Sequence, residues 1–239
     1  MTPNTHQIVV LISADEEWRT VREILKPSKP LSSSPFGEWF LRDVPVGDRK
    51  LPVVFLQTGC GKIPAAAATQ YVLNKWNPKL IINFGTCGGF KGRVERGDIL
   101  LVTKTVVYDV YERCGGHDEQ VAKYMTELDL SWLEKPYPVN ALPTTMATAD
   151  QDLEPGSILH LYEKYGAMAA DWESGAIAYV AQKNDNTKCL IVRGVSDVVD
   201  PAGGKPSSDE DIIEGTRIVM EKLIDFLPEW IAKMKVGVV

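Results

Sequence analysis

Two carboxylates, Asp197 and Glu173, each stand just past a short apolar run, and a glycine-rich stretch, Gly85–Gly89 (GTCGG), follows a third. The chemistry open to such carboxylates is to accept hydrogen bonds from a ligand or to exchange a proton with it. Open α/β sheets keep their ligands at strand ends, so convergence of GTCGG, Asp171–Ser174 (DWES) and Gly194–Asp200 (GVSDVVD) on one cleft is physically reasonable. Each feature also has a plainer reading. A carboxylate after a strand commonly caps the next helix. GTCGG can be an anion cradle of backbone amides or simply a tight turn. No GxGxxG opens a helix, and Gly59–Lys62 (GCGK) is no phosphate loop, because Ile63 stands where a Ser or Thr would hold magnesium. Cys60, Cys87, Cys114 and Cys189 form no CxxC pair and His6, His117 and His160 share no ligand spacing, so neither a metal nor another cofactor is expected.

These residues need strands and helices to place them. Gln7–Ile12 reads as a buried strand and Asp15–Leu25 as a helix with Trp18, Val21 and Leu25 on one face. Asp15, Glu16 and Glu17 suit the positive end of its dipole. Glu38–Arg42 and Pro52–Gln57 read as paired strands around a turn at Gly47–Asp48. A helix is expected over Pro64–Trp76, with the proline at its first position. Strands follow at Leu80–Phe84 and Ile99–Thr105, and then an irregular Val110–Ala141 that reads as a long functional loop. Helices at Ser157–Tyr165 and Ser174–Gln182 flank a short strand, Ala167–Ala170, and Cys189–Val195 is the last strong strand. Ser208 and Asp211 form a capping box for a helix to about Phe226, which Pro228 interrupts. This alternation predicts an α/β fold with a mixed, mostly parallel central sheet.

The chain has 239 residues, 44% hydrophobic and 24% charged, and residues 1–239 read as one domain, with no linker beyond the short Lys29–Pro35. A net charge of −6 gives no general attraction for a phosphate backbone, so nucleic acid is not an expected partner. No apolar run approaches the ~20 residues of a membrane span. The start lacks a basic leader, and with its unpaired cysteines the chain is expected in the reducing cytoplasm.

Four segments, QTGCGKIPAAAATQYVL, IINFGTCGGFKGRVERGDILLV, MAADWESGAIAYVAQ and IVRGVSDVVD, resemble the nucleoside phosphorylase/nucleosidase family in their order and spacing. The resemblance runs from Ile8 to about Phe226 and is closer to the methylthioadenosine/S-adenosylhomocysteine nucleosidase branch. It implies a three-layer α/β/α sandwich whose mixed sheet carries a small barrel-like closure, and a homo-dimer or higher homo-oligomer that cleaves a purine nucleoside. Asp197 falls on the family's catalytic aspartate at purine N7, and Ser196 precedes it as in relatives. Glu173 falls on the glutamate that holds the ribose hydroxyls, and Trp172 on a methionine that packs against the sugar. Thr86, with Cys87 and Gly88 after it, falls beside the attacking water or phosphate. Breaking the glycosidic bond puts positive charge on the sugar and negative charge on the base. Asp197 would have to keep a proton for N7, and Glu173 would stay ionised beside the cationic sugar.

The sequence departs from the family twice. Hydrolytic relatives carry a water-activating glutamate four residues after the alanine that ends the first strand. Counting from Ala14 that position is Trp18, with Glu17 one earlier and Arg19, the phosphorylase-like choice, one later. Glu17 is the expected base, the alternative being that it only complements the helix dipole. The adenine-stacking aromatic of relatives is replaced by Asp152, which can accept from a base N–H, face solvent or start a turn. Phosphorolysis of a 6-oxopurine nucleoside, and a non-catalytic binding or storage role, therefore remain alternatives to hydrolysis.

Overall fold

The computed structural model describes residues 7–28, 30–184, 187–203 and 208–235; His6 and Lys29 lie outside these ranges. Strand β1 (Ile8–Ile12) is buried along its whole length, because both of its faces are covered. Its Val9 and Leu11 pack with Ala65, Ala68 and Val72 of helix α2 (Lys62–Trp76) and with Ile177 of helix α5 (Ser174–Gln182). Ile8, Val10 and Ile12 pack with Trp18 and Val21 of helix α1 (Asp15–Leu25), and with Met220 and Trp230 of helices α6 (Asp209–Asp225) and α7 (Leu227–Ala232). Period-two side chains thus feed two cores, one on each side of the sheet. That is the expected α/β/α sandwich.

At its centre β1 lies parallel to β4 (Arg49–Gln57) and β5 (Leu80–Phe90), and β5 lies parallel to β10 (Lys188–Val199). The outer side is an antiparallel hairpin of β3 (Glu38–Val46) with β4, closed at Gly47–Asp48, and a two-residue β2 (Ser32–Ser33). On the other side β10 pairs with β6 (Ile99–Val107), β6 with β8 (Leu142–Thr148), and β8 with β9 (Ala167–Asp171). Strand β9 returns antiparallel to β5 at Gly88 and Gly89, so these five strands close into a small barrel.

Three expectations change. Strand β5 does not stop at Phe84: GTCGG lies inside it, with no positive φ at Gly85, Gly88 or Gly89. Gly85 and Gly89 serve close packing rather than a turn. A Cβ on Gly89 would stand 2.6 Å from a methyl of Val94 and 2.8 Å from one of Val195. The stretch therefore runs as a strand of the sheet, with the Thr86 N–H given to the Glu17 carboxylate, rather than forming an open anion cradle. The Val110–Ala141 segment holds helix α3 (His117–Lys123) and strand β7 (Met125–Glu127), which pairs with β6. Helix α2 begins two residues earlier than expected, so Pro64 is third, still in the turn whose amides lack helical partners. The remaining helix, α4 (Ile158–Tyr165), and the Ser208–Asp211 capping box stand as read. Among the described residues no helix is long and apolar enough to cross a membrane.

Candidate active site

The first cluster forms where β1 turns into α1. Glu17 is buried and accepts four hydrogen bonds: Ser13 and Ala14 N–H at 3.3 and 3.1 Å on Oε2, Thr86 N–H and Oγ1–H at 2.6 and 2.8 Å on Oε1. It does close the helix N-terminus, but half of its carboxylate is turned to β5. Trp18, at the counted position, packs in the core against Phe40 and donates to Glu38. Arg19 pairs with Glu16 at 2.7 Å and its side chain is 58% exposed, so it takes no part in the cluster. At about 3.6 residues per turn the helix carries Glu17 and Trp18 on its inward side and Arg19 on its outward one.

The second cluster is a buried ion network in which Glu173 meets Arg193, which also binds Asn83 and Asp171; these three were not among the site residues read from the sequence. Arg193 lies fully buried in β10. Its Nε is 2.8 Å from Asp171 Oδ2, and its Nη2 donates to Asn83 Oδ1 at 2.8 Å and to Glu173 Oε2 at 3.5 Å. Asp171 is held further by Thr148 Oγ1 at 2.8 Å and by the Ser174 hydroxyl. Arg193 Nη1 has no protein partner and lies against Gly85, where a Cβ would be 1.9 Å from it and 2.9 Å from Glu17 Oε1. Gly85 is thus the opening through which guanidinium and carboxylate approach one face. The sequence did hold a signal: an arginine inside the apolar run CLIVRGV must be either on an edge or paired.

Glu173 accepts the Gly61 N–H at 2.9 Å on its other oxygen. Burial pushes its pKa up from 4.5 to about 7, Arg193 opposing and Asp171 and Glu17 adding to the rise. This makes Glu173 a cost to the fold once it is charged. The raised folded value means that its contribution is fully present below pH 4.5 and lost as pH rises through about 7. Glu173→Gln should therefore be more stable than the native protein at pH 8, by on the order of 3 kcal/mol at ~1.4 kcal/mol per pH unit. The advantage should fade in urea titrations at pH 5. An advantage that is absent at pH 8, or that grows on acidification, contradicts this electrostatic picture.

The third cluster surrounds Asp197. The β5–β10 register slips between Val195 and Asp197, leaving Ser196 in a bulge, a device that re-aims side chains beside active sites. Ser196 Oγ lies 2.8 Å from Asp197 Oδ1 and 3.3 Å from the Cys87 carbonyl, with one proton to give. Helix α6 presses on the bulge: a Cβ on Gly215 would be 2.3 Å from the Ser196 carbonyl. Asp197 is therefore no helix cap. Burial raises its pKa, the Ser196 hydroxyl and Arg96 oppose this, and Asp152 adds to it. Its Oδ2 lies 3.7 Å from where a Gly88 Cβ would sit, with Val199 and Leu153 methyls at 3.8 and 4.0 Å from the same point, so the carboxyl packs beside Gly88.

Other predicted positions fall unevenly. Cys87 is buried among the α2 and α5 side chains with its thiol on the Gly194 carbonyl at 3.6 Å, so only its backbone belongs to the site. Trp172 is half-buried in the bend between Asp171 and Ser174. Asp152 is exposed on the turn after β8, and its charge is felt at Asp197.

The phosphorylase superfamily is the family whose model matches the chain, over residues 9–232. The chain is 25% identical over 236 residues to a Bacillus cytotoxicus 5'-methylthioadenosine/S-adenosylhomocysteine nucleosidase, covering 91% of this chain and 98% of that protein. It is 30% identical over 162 residues to the Bacillus pumilus protein of the same name, covering 61% and 68%. A Neisseria meningitidis nucleosidase of that name, solved in complex with methylthio-immucillin-A, superposes with a TM-score of 0.75 at 20% identity, over 96% of this chain and 100% of that one.

Proposed function

Because the chain belongs to the phosphorylase superfamily, we propose that this site releases the base of a purine nucleoside with water as nucleophile, as a 5'-methylthioadenosine/S-adenosylhomocysteine-type nucleosidase. The observation that carries it lies on β5. Thr86 holds Glu17, and Gly88, two residues on along the same strand, lies beside Asp197, so residues 85–88 of β5 touch both carboxyl groups. A buried acid and a hydrogen-bonded carboxylate held beside one stretch of strand suit protonation of the leaving base and activation of water.

Asp197, whose burial favours the protonated form, gives a proton or strong hydrogen bond to the departing purine N7. Glu17 polarises the water, with Thr86 fixing its carboxylate and Arg193 Nη1 offering a donor on the same side. Glu173 accepts from the ribose hydroxyls; because burial raises its pKa to about 7 it does not stay ionised throughout, contrary to expectation, and its negative charge favours the cationic sugar above neutral pH. Trp172 covers the sugar, Gly88 and Ser196 frame the acid, and Asp152 lies toward the base. Phosphorolysis is less well supported. Arg19 is turned away, and the Thr86 amide, which a phosphate would need, is committed to Glu17. A binding or storage role gives no reason to retain both the acid and Glu17.

Incubation with methylthioadenosine, S-adenosylhomocysteine, adenosine, inosine and guanosine tests the reading, with free base the product to quantify. The 5'-thioadenosines should react fastest; base release from none of the five would refute it.

The reaction is assigned to the cytoplasm, where the four free cysteines would stay reduced. A homo-oligomer is the proposed assembly. Within the Val110–Ala141 segment Trp132 is buried and Tyr137 stacks on Trp230, so those two fold back on the core. Tyr111 and, on α2, Ile63 remain 77% and 81% exposed, an apolar pair suited to a neighbouring copy. Light scattering should show a dimer or larger species; a monomer at micromolar concentration would exclude this.

A further inference from the structure

The start of helix α2 has no cap of its own: Gly61, at φ 95°, offers no side chain, and the first turn contains no acid. Both of its leading amides go to carboxylates from other elements. The Gly61 N–H donates to Glu173 Oε1 at 2.9 Å and the Lys62 N–H to Asp150 Oδ1 at 2.7 Å. The Lys62 side chain reaches a third carboxylate: Nζ bonds both oxygens of Asp109 and lies 3.7 Å from Asp150 Oδ2. Asp150 N–H donates in turn to Asp109 Oδ2 at 3.0 Å. Asp109 follows β6, Asp150 follows β8 and Glu173 follows β9. One largely buried ammonium therefore joins the helix start to the ends of two barrel strands, next to the carboxylate at the end of a third.

Without that cation, Asp109 and Asp150 would face each other as like charges, and Asp150 could no longer be kept on the Lys62 amide. The consequence would reach Glu173. Its protein donors are the Gly61 N–H, Arg193 Nη2 at 3.5 Å and the Cys60 thiol, while Asp171 and Glu17 repel it. Only the first is short and fixed by backbone.

We propose that Lys62 is a positioning residue, which clamps the α2 start to Asp109 and Asp150 so that the Gly61 N–H stays on Glu173. The part of this that concerns the ribose rests on the role given to Glu173 above; the clamp itself does not.

Hydrogen exchange in the peptide around Gly61 reads the clamp without any substrate. Lys62→Met and Asp109→Asn should speed exchange there by about tenfold or more, while Lys62→Arg, which keeps the cation, stays near the native rate. Native-like exchange in both Lys62→Met and Asp109→Asn overturns the proposal, and circular dichroism confirms that each variant is folded. In turnover, Lys62→Met should lose about tenfold in kcat/KM on a ribonucleoside and much less on its 2'-deoxy analogue. Adding Glu173→Gln should then cost less than it does alone, since the two changes share one interaction. Equal losses on both sugars with full additivity would make Lys62 merely structural and overturn the inference. If the native protein cleaves no nucleoside while exchange responds as expected, the reaction is wrongly assigned and the clamp stands.

Discussion

Asp197→Asn is expected to abolish base release while a nucleoside still binds. Asparagine keeps the shape of the side chain and can still pair with the Ser196 hydroxyl, but it has no carboxyl proton to give the leaving base. Loss of a general acid typically costs ~10²–10⁴ in rate. The loss should appear in kcat with little change in KM, because the proton is needed only as the bond breaks. Burial raises the proton affinity of Asp197, and the bulge at Ser196 sets its carboxyl beside Gly88. Turnover within a few-fold of the native enzyme would remove Asp197 from the reaction.

Arg193→Met should be the most damaging substitution for the fold. The guanidinium is the one cation within reach of Asp171 and Glu173 among the described residues, and all three are buried. Methionine fills much of the volume but leaves two carboxylates without their partner, a change that typically costs ~3–5 kcal/mol. Burial already raises the Glu173 pKa and Arg193 opposes the rise, so without the cation Glu173 gains further proton affinity and the folded form binds more protons than the unfolded one. The loss should therefore be largest above neutral pH and shrink on acidification. Urea unfolding at pH 8 and pH 5.5 separates the cases. A loss under about 1 kcal/mol, or one that grows at low pH, would mean that Arg193 does not hold the network together.

The layer order was legible because buried parallel strands are nearly continuous apolar runs, and β1 and the first half of β5 are such runs. Helix α1 was legible to the residue, its acidic first turn and Trp18–Val21 face marking both ends. The second half of β5 was not. Glycines signal turns in a sequence, whereas here Gly85 and Gly89 admit Arg193, Val94 and Val195, neighbours that only the fold reveals. Asp197 and Glu173 were singled out as candidates through strand-end position and resemblance. Arg193 was passed over because a basic residue in a β run carries no motif, although its burial demands a carboxylate partner. Lys62 was discounted with the absent phosphate loop, and its partners Asp109 and Asp150 lie 47 and 88 residues away in the chain.

The most direct test of hydrolysis by Glu17 and Asp197 is the identity of the sugar product, measured with and without inorganic phosphate. The account predicts free sugar with a reducing end, formed at a rate that phosphate does not change. Strictly phosphate-dependent release of a sugar 1-phosphate would contradict it and would mean that Glu17 does not activate the nucleophile.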